Sequence, residues 1–183
     1  MPNKKWYEYG PFTVFDIETT GMRATCDRIV ELAAVQVSTD GHYLRYQTLI
    51  NPERVIPSEL ISIHHITNEM VASAPVFAEI APEFMEFAAG SVLAAHNARF
   101  DLSFLQESLA RCGMEQWHGR TLDTLKLVQK TYPGLPSYRL QYLRRIFQLD
   151  DLSEQAAHRA GADAEWTMQL LGITIDKLMG SRC

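Results

Sequence analysis

The sequence predicts an α/β layered domain built on a mixed β-sheet flanked by helices. Three observations carry that prediction. Three runs rich in β-branched and aromatic residues come first, separated by turn signals. Short apolar runs then alternate with segments whose apolar residues recur at helical spacing. Finally, acidic residues stand at the ends of apolar segments in well-separated parts of the chain, so the elements that carry them are expected to converge.

In order along the chain, Phe12 to Ile17 reads as a buried strand and Ile29 to Val37 as a second. The turn Thr39-Asp40-Gly41 leads into a third strand, Leu44 to Ile50, so these three form an antiparallel meander. Asn51 to Ser58, with two prolines, reads as loop. From Val76 to Ala89, Phe77, Ile80, Phe84 and Phe87 recur at helical spacing, with Pro82 marking a break or a new first turn. Val92 to Ala95 is a short buried strand, and Leu102 to Cys112 an amphipathic helix ended by Gly113. A last strand is expected near Arg120–Leu122. Helices follow near Thr124–Thr131, Ser137–Phe147 and Ala162–Met179.

The 183 residues suit one domain, 1–183, with a substantial core; no repeat or linker suggests a boundary. A composition of 46% hydrophobic and 21% charged residues is that of a soluble globular chain. No apolar run approaches the ~20 residues that span a membrane, and the first residues lack the apolar core of a secretory signal. Cys26, Cys112 and Cys183 are scattered and unpaired in pattern, which argues against a disulfide framework or a zinc site and for a reducing cytoplasm. The net charge of −5 does not by itself advertise nucleic-acid binding. Lys126, Lys130, Arg139, Arg144 and Arg145 nonetheless cluster, either as a solvated helix face or as phosphate contacts.

Three patches carry candidate chemistry: Asp16 and Glu18 in FDIETTG, Asp101 in AHNARFD, and His158 with Asp163 in HRAGAD. Strand alternation puts Asp16 and Glu18 on one side of the sheet, with Ile17 behind. Two like charges ~4 Å apart repel by about 4 kcal/mol at an effective dielectric near 20. Hard divalent cations such as Mg²⁺ and Mn²⁺, which prefer carboxylate oxygens, remove that penalty. Taken singly, each residue has a plainer role. Asp101 could simply balance a helix dipole, Asn97 hold a loop and Phe100 fill the core. A calcium-loop reading fails for want of spaced acidic ligands.

Together, FDIETTG, AHNARFD and HRAGADAEWT resemble the three exonuclease motifs of the DEDDh-type, DnaQ-like 3′–5′ exonucleases, the superfamily of proofreading exonucleases and RNase T. The likeness covers nearly the whole chain. With APVFAEIAPEFMEF and YPGLPSYRLQYL it is nearest to the epsilon-type proofreading exonucleases of bacterial DNA polymerase III. The five-residue step from His158 to Asp163 marks the histidine branch; the tyrosine branch would place Tyr where Arg159 stands.

The resemblance implies a ribonuclease-H-like sheet, the antiparallel meander extended by parallel strands. It implies two divalent cations, Mg²⁺ or Mn²⁺: Asp16, Glu18 and Asp163 hold one, and Asp16 bridges to a second supported by Asp101. His158 is then the general base. Thr19, Thr20, Gly21, His64, Ile66, Thr67, Asn97 and Phe100 are expected around the terminal nucleotide, and Asp123 is expected to be structural. The implied partner is the 3′ end of single-stranded DNA, with an exoribonuclease or a non-catalytic nucleic-acid-binding module as alternatives. Two departures stand out. His65 occupies the place where the family usually has glycine; if that glycine serves a positive-φ turn, His65 costs stability or reshapes the pocket wall. The sequence ends at Cys183, where epsilon-type exonucleases continue into a polymerase-docking tail, so polymerase association is left open but not supported by these residues.

Overall fold

The computed structural model describes residues 4–149 and 159–180. After a 3₁₀ turn at Trp6–Tyr9, the meander forms as the sequence predicts: β1 (Phe12–Thr19), β2 (Ile29–Val37) and β3 (Tyr43–Leu49). Next come α1 (Ser58–His64), α2 (Asn68–Val71), α3 (Phe77–Ala88), β4 (Val92–Ala95) and α4 (Arg99–Arg111). β5 (Thr121–Asp123), α5 (Thr124–Thr131), α6 (Leu140–Phe147) and α7 (Ala160–Gly180) complete the described elements.

The sheet order is β3-β2-β1-β4-β5. β1–β2 and β2–β3 pair antiparallel, whereas β4 pairs parallel with both β1 and β5. Period-two alternation on β1 divides the core. Phe15 and Ile17 face α3 and α4, where they join Leu32, Phe84, Leu93, Phe104 and Leu105. Phe12 and Val14 face α7 and pack with Val35, Val92, Ala164, Met168 and Leu171. Asp16 and Glu18 continue the second face, so the same alternation that buries Phe12 and Val14 sends both acids toward α7. A third cluster, Val128, Leu143, Trp166 and Leu170, seats α5 and α6 on α7. Each such buried side chain stabilises the fold by roughly 1.5–3 kcal/mol.

Differences from the predicted elements have local causes. Pro82 does not break α3. It and Ala78, whose carbonyl its ring deprives of a partner, both lie on the exposed face, so that oxygen is not left buried without a partner. α4 begins at Arg99 rather than Leu102, with Ala98 as its N-cap, after Asn97, whose φ of 67° turns the chain into the helix. α6 begins at Leu140 rather than Ser137, because the Tyr138 carbonyl is taken by His96 Nε2 at 2.8 Å and Arg139 is extended. α1 and α2 were not expected; at 7 and 4 residues they are too short to show a helical period. Gly113, at φ 67°, does follow the end of α4.

Candidate active site

Asp16 and Glu18 lie at the C-terminal end of β1, and Asp163 lies in the first turn of α7. A carboxylate oxygen from each falls within 4.8 Å of one from both others. Asp101, in the first turn of α4, is 3% exposed and near enough for its charge to act on Asp16. β1 and β4 pair only from Phe12 to Val14. Hydrogen bonding from the Ile17 backbone favours the charged form of the Asp101 carboxylate.

The electrostatics are those of a site short of positive charge. Burial, then repulsion from Asp163 and Glu31, pushes Glu18 up to about 9. Burial raises Asp101 to about 8 against the pull of hydrogen bonds from its own and the Ile17 backbone. Burial raises Asp163 to about 7, although Gln141 Nε2 donates to its Oδ1 at 3.2 Å and Arg144 also favours its charge. Asp16 is raised well above the ordinary range by burial and by Asp101, Asp163 and Glu18. An all-oxygen set of convergent, desolvated carboxylates suits a hard divalent cation and fits no softer metal as well. Among the described residues, Asp16, Glu18 and Asp163 are the group of three so arranged. His158 lies outside the described residues.

The residues expected around a nucleotide fall into two groups. Gly21, Thr67 and Phe100 are partly exposed and Asn97 is exposed. Phe100 packs against Phe104 in a tilted arrangement, with centroids 5.0 Å apart and ring planes 50° from parallel. Thr19, Thr20, His64 and Ile66 are buried. The Thr19 hydroxyl donates to the Gly21 carbonyl at 2.6 Å, and the Thr20 hydroxyl accepts from Arg28 N–H at 3.0 Å, so both close the loop after β1. His64 Nδ1 accepts from Ile66 N–H at 3.1 Å, and burial holds its imidazole below the usual histidine range. Ile66 packs with Val30, Ile56 and Val71. In this conformation these four shape the wall from behind rather than present a surface. Asp123 caps α5, accepting from Leu125 N–H at 3.0 Å and Asn97 N–H at 3.2 Å, the structural role expected of it.

One acid escaped the sequence reading. Glu31, on β2 directly opposite Glu18, is 1% exposed. Its signal was present: a lone glutamate inside the buried run IVELAAV needs a partner, since unpaired charges are almost never fully buried.

A mixed sheet carrying acids at the end of its central strand and on two flanking helices defines a class, and comparison with known proteins agrees. The chain belongs to the exonuclease family of the RNase T type, which it matches over residues 13–171. Among its relatives is the DNA polymerase III subunit epsilon of Treponema pallidum (strain Nichols), 43% identical over 166 residues, 90% of this chain and 76% of that protein. A PolC-type DNA polymerase III of Caldanaerobacter subterraneus subsp. tengcongensis is 37% identical over 169 residues, 92% of this chain but 12% of the polymerase. Of solved structures, Exonuclease X in complex with 5′ overhanging duplex DNA superposes with a TM-score of 0.70 at 29% identity, covering 94% of this chain and 93% of that one. E. coli Exonuclease I in complex with a dT13 oligonucleotide gives 0.78 at 20% identity over 93% of this chain and 42% of that one, a likeness of fold. No helix among the described residues is long and apolar enough to cross a membrane.

Proposed function

We propose that this exonuclease removes nucleoside 5′-monophosphates one at a time from the 3′ end of single-stranded DNA, working as a single domain over residues 1–183. The observation that supports this best is the meeting of Asp16, Glu18 and Asp163 from two elements, backed by the buried Asp101. In this reading Asp16, Glu18 and Asp163 hold one divalent cation, and Asp16 with Asp101 a second. Mg²⁺ or Mn²⁺ bound there would lower the pKa of the attacking water and stabilise the leaving 3′-oxyanion.

The remaining steps fall to the protein. His158 accepts the proton of the attacking water, a task suited to an imidazole that titrates near neutrality. Phe100 offers a ring face to the terminal base, and every base has a π-face, so sequence matters little. Asn97, exposed beside it, contributes an amide to the sugar or phosphate. DNA is favoured over RNA by the relative Exonuclease X, which binds DNA.

The test is a digestion series on matched single-stranded DNA, single-stranded RNA and duplex, each labelled at its 5′ end, with Mg²⁺ and with chelator. A descending ladder from single-stranded DNA that chelator abolishes is the expected result. Label released at once as a mononucleotide would reverse the polarity, and faster loss of RNA would make the chain an exoribonuclease.

A further inference from the structure

Glu31 is a fifth acid on the same sheet face as the site, yet its carboxylate is fully engaged elsewhere. Oε1 accepts from Gln47 Nε2 at 2.9 Å and from Arg159 Nη2 at 2.7 Å. Oε2 accepts from Arg159 Nε and from the backbone N–H of Ala160, both at 3.1 Å. Arg159 thus grips Glu31 through two nitrogens, the geometry that a planar guanidinium favours and an ammonium cannot reproduce.

Ala160 is the first residue of α7, so Glu31 caps this 21-residue helix from another element. Its negative charge sits where the N–H groups of the first turn lack partners and the helix dipole is positive. A separate observation shows how closely the helix start is seated. A Cβ on Gly161 would lie 2.6 Å from Gln47 Oε1, so a side chain there would have to displace the Gln47 amide that also binds Glu31. The Arg159 carbonyl then accepts the N–H of Ala162 at 3.0 Å and that of Asp163 at 3.2 Å. The residue gripped by Glu31 therefore starts the turn that carries Asp163, and it directly follows His158 in the sequence.

We infer that Glu31 and Arg159 are positioning residues for the exonuclease reaction: their ion pair sets the height and rotation of the first turn of α7. That places Asp163 against Asp16 and Glu18 and anchors the chain immediately after His158. Arg159 also occupies the carboxylate that would otherwise stand beside Glu18 as a competing cation ligand. The pair touches no reacting atom, so its loss acts through Asp163. Removing Arg159 alone leaves the buried Glu31 charge uncompensated, removing Glu31 alone leaves a part-exposed guanidinium without its partner, and removing both leaves neither.

This inference rests on the proposed exonuclease reading, and its test separates the two. Glu31→Gln, Arg159→Met, Arg159→Lys and the double variant E31Q/R159M would be compared with wild type. The readouts are kcat and KM on a 5′-labelled oligonucleotide, Mn²⁺ affinity by electron paramagnetic resonance, and circular dichroism. Each of Glu31→Gln and Arg159→Met should lower kcat at least ~10-fold with KM within about twofold, and weaken Mn²⁺ binding several-fold. Arg159→Lys, which keeps the charge but not the fork, should recover part of the loss. The double variant should be no worse than the poorer single one, because both changes cut the same tie. Should Arg159→Met not fold, the nearly isosteric Glu31→Gln decides. Folded single variants with kcat within twofold of wild type would overturn the inference, as would a loss confined to KM. If wild type degrades no oligonucleotide, the exonuclease reading fails, and the Mn²⁺ affinities still report whether the pair positions Asp163.

Discussion

The carboxylates of Glu18 and Asp163, one on β1 and the other in the first turn of α7, are both half-buried and come within 4.8 Å of each other. Burial and Asp163 together lift Glu18 from an ordinary 4.5 to about 9. Asp101 and Asp163 are lifted to about 8 and about 7 for the same leading reason. The structure therefore concentrates in one place a cost that folding must meet and that a bound cation can offset.

That cost has a pH dependence. Between the unfolded values near 4 and the raised folded values, the folded protein holds protons that the unfolded chain has released. Metal-free stability must then fall as pH rises, by up to ~1.4 kcal/mol per pH unit for each such group. In chelator, the melting temperature should drop by at least ~5 °C between pH 5.5 and 8.5, given ~2–4 °C per kcal/mol at this size. Mg²⁺ or Mn²⁺ at pH 8 should restore it. Asp16→Asn should abolish activity yet raise the metal-free melting temperature at pH 8. A melting temperature that ignores both pH and cation would mean that the acids are not coupled as described.

His65 supplies a second expectation. It sits at φ 61°, ψ 16°, closing α1 with its N–H donated to the Ile61 carbonyl at 2.8 Å. A residue with a Cβ is held in the left-handed region at a cost of roughly 1–2 kcal/mol, which glycine avoids while losing more backbone freedom on folding. His65→Gly should therefore stabilise the protein by a net ~0.5–1 kcal/mol. Urea denaturation checks this, and a lower midpoint would show that the exposed imidazole makes a compensating contact.

The legible parts of this chain are those where one strong pattern acts alone. β2, β4 and α5 fall where β-branched runs and helical spacing put them. Alternation alone places Asp16 and Glu18 on one face, as the α7-facing cluster of Phe12 and Val14 bears out. α1 and α2 were illegible because a turn or two of helix carries no period, and their stability comes from packing Ile56, Ile66 and Val71 under β2. The motif around Thr19, Thr20, His64 and Ile66 marks a neighbourhood but not which side chains face out, since that depends on hydrogen bonds across the loop. Arg159 could be seen only as the position that separates two branches. Its bond to Glu31 joins residues far apart in the chain, which no local pattern encodes.

The loop after β1 gives a steric prediction. A Cβ on Gly21 would collide with the Asp27 carboxylate. Asp27 is held in place, accepting from Arg23 N–H at 2.9 Å and facing Arg54 at 3.7 Å. Gly21→Ala should cost ~1–3 kcal/mol, the usual price of overpacking, and raise KM several-fold by displacing the wall that Gly21 is proposed to form. Adding Asp27→Ala should return much of the stability, because it removes the atoms in collision. A Gly21→Ala variant with wild-type stability and KM would show that the loop relaxes freely.

His158 carries the last prediction, through its place in HRAGAD. The acids of the site are engaged as the proposed cation ligands, so the proton of the attacking water needs another acceptor. His158 is the candidate nearest in sequence to Asp163 and to the anchored Arg159. His158→Ala should lower kcat by ~10²–10⁴-fold, the typical worth of a general base, while leaving Mn²⁺ affinity close to wild type. Asp163→Asn, by contrast, should lose both. Wild-type kcat at saturating cation should rise with pH through the imidazole range, ordinarily near ~6.5, since only the neutral ring accepts a proton. That rise should vanish in His158→Ala. A variant that kept the rate and the rising limb would assign the base to another group.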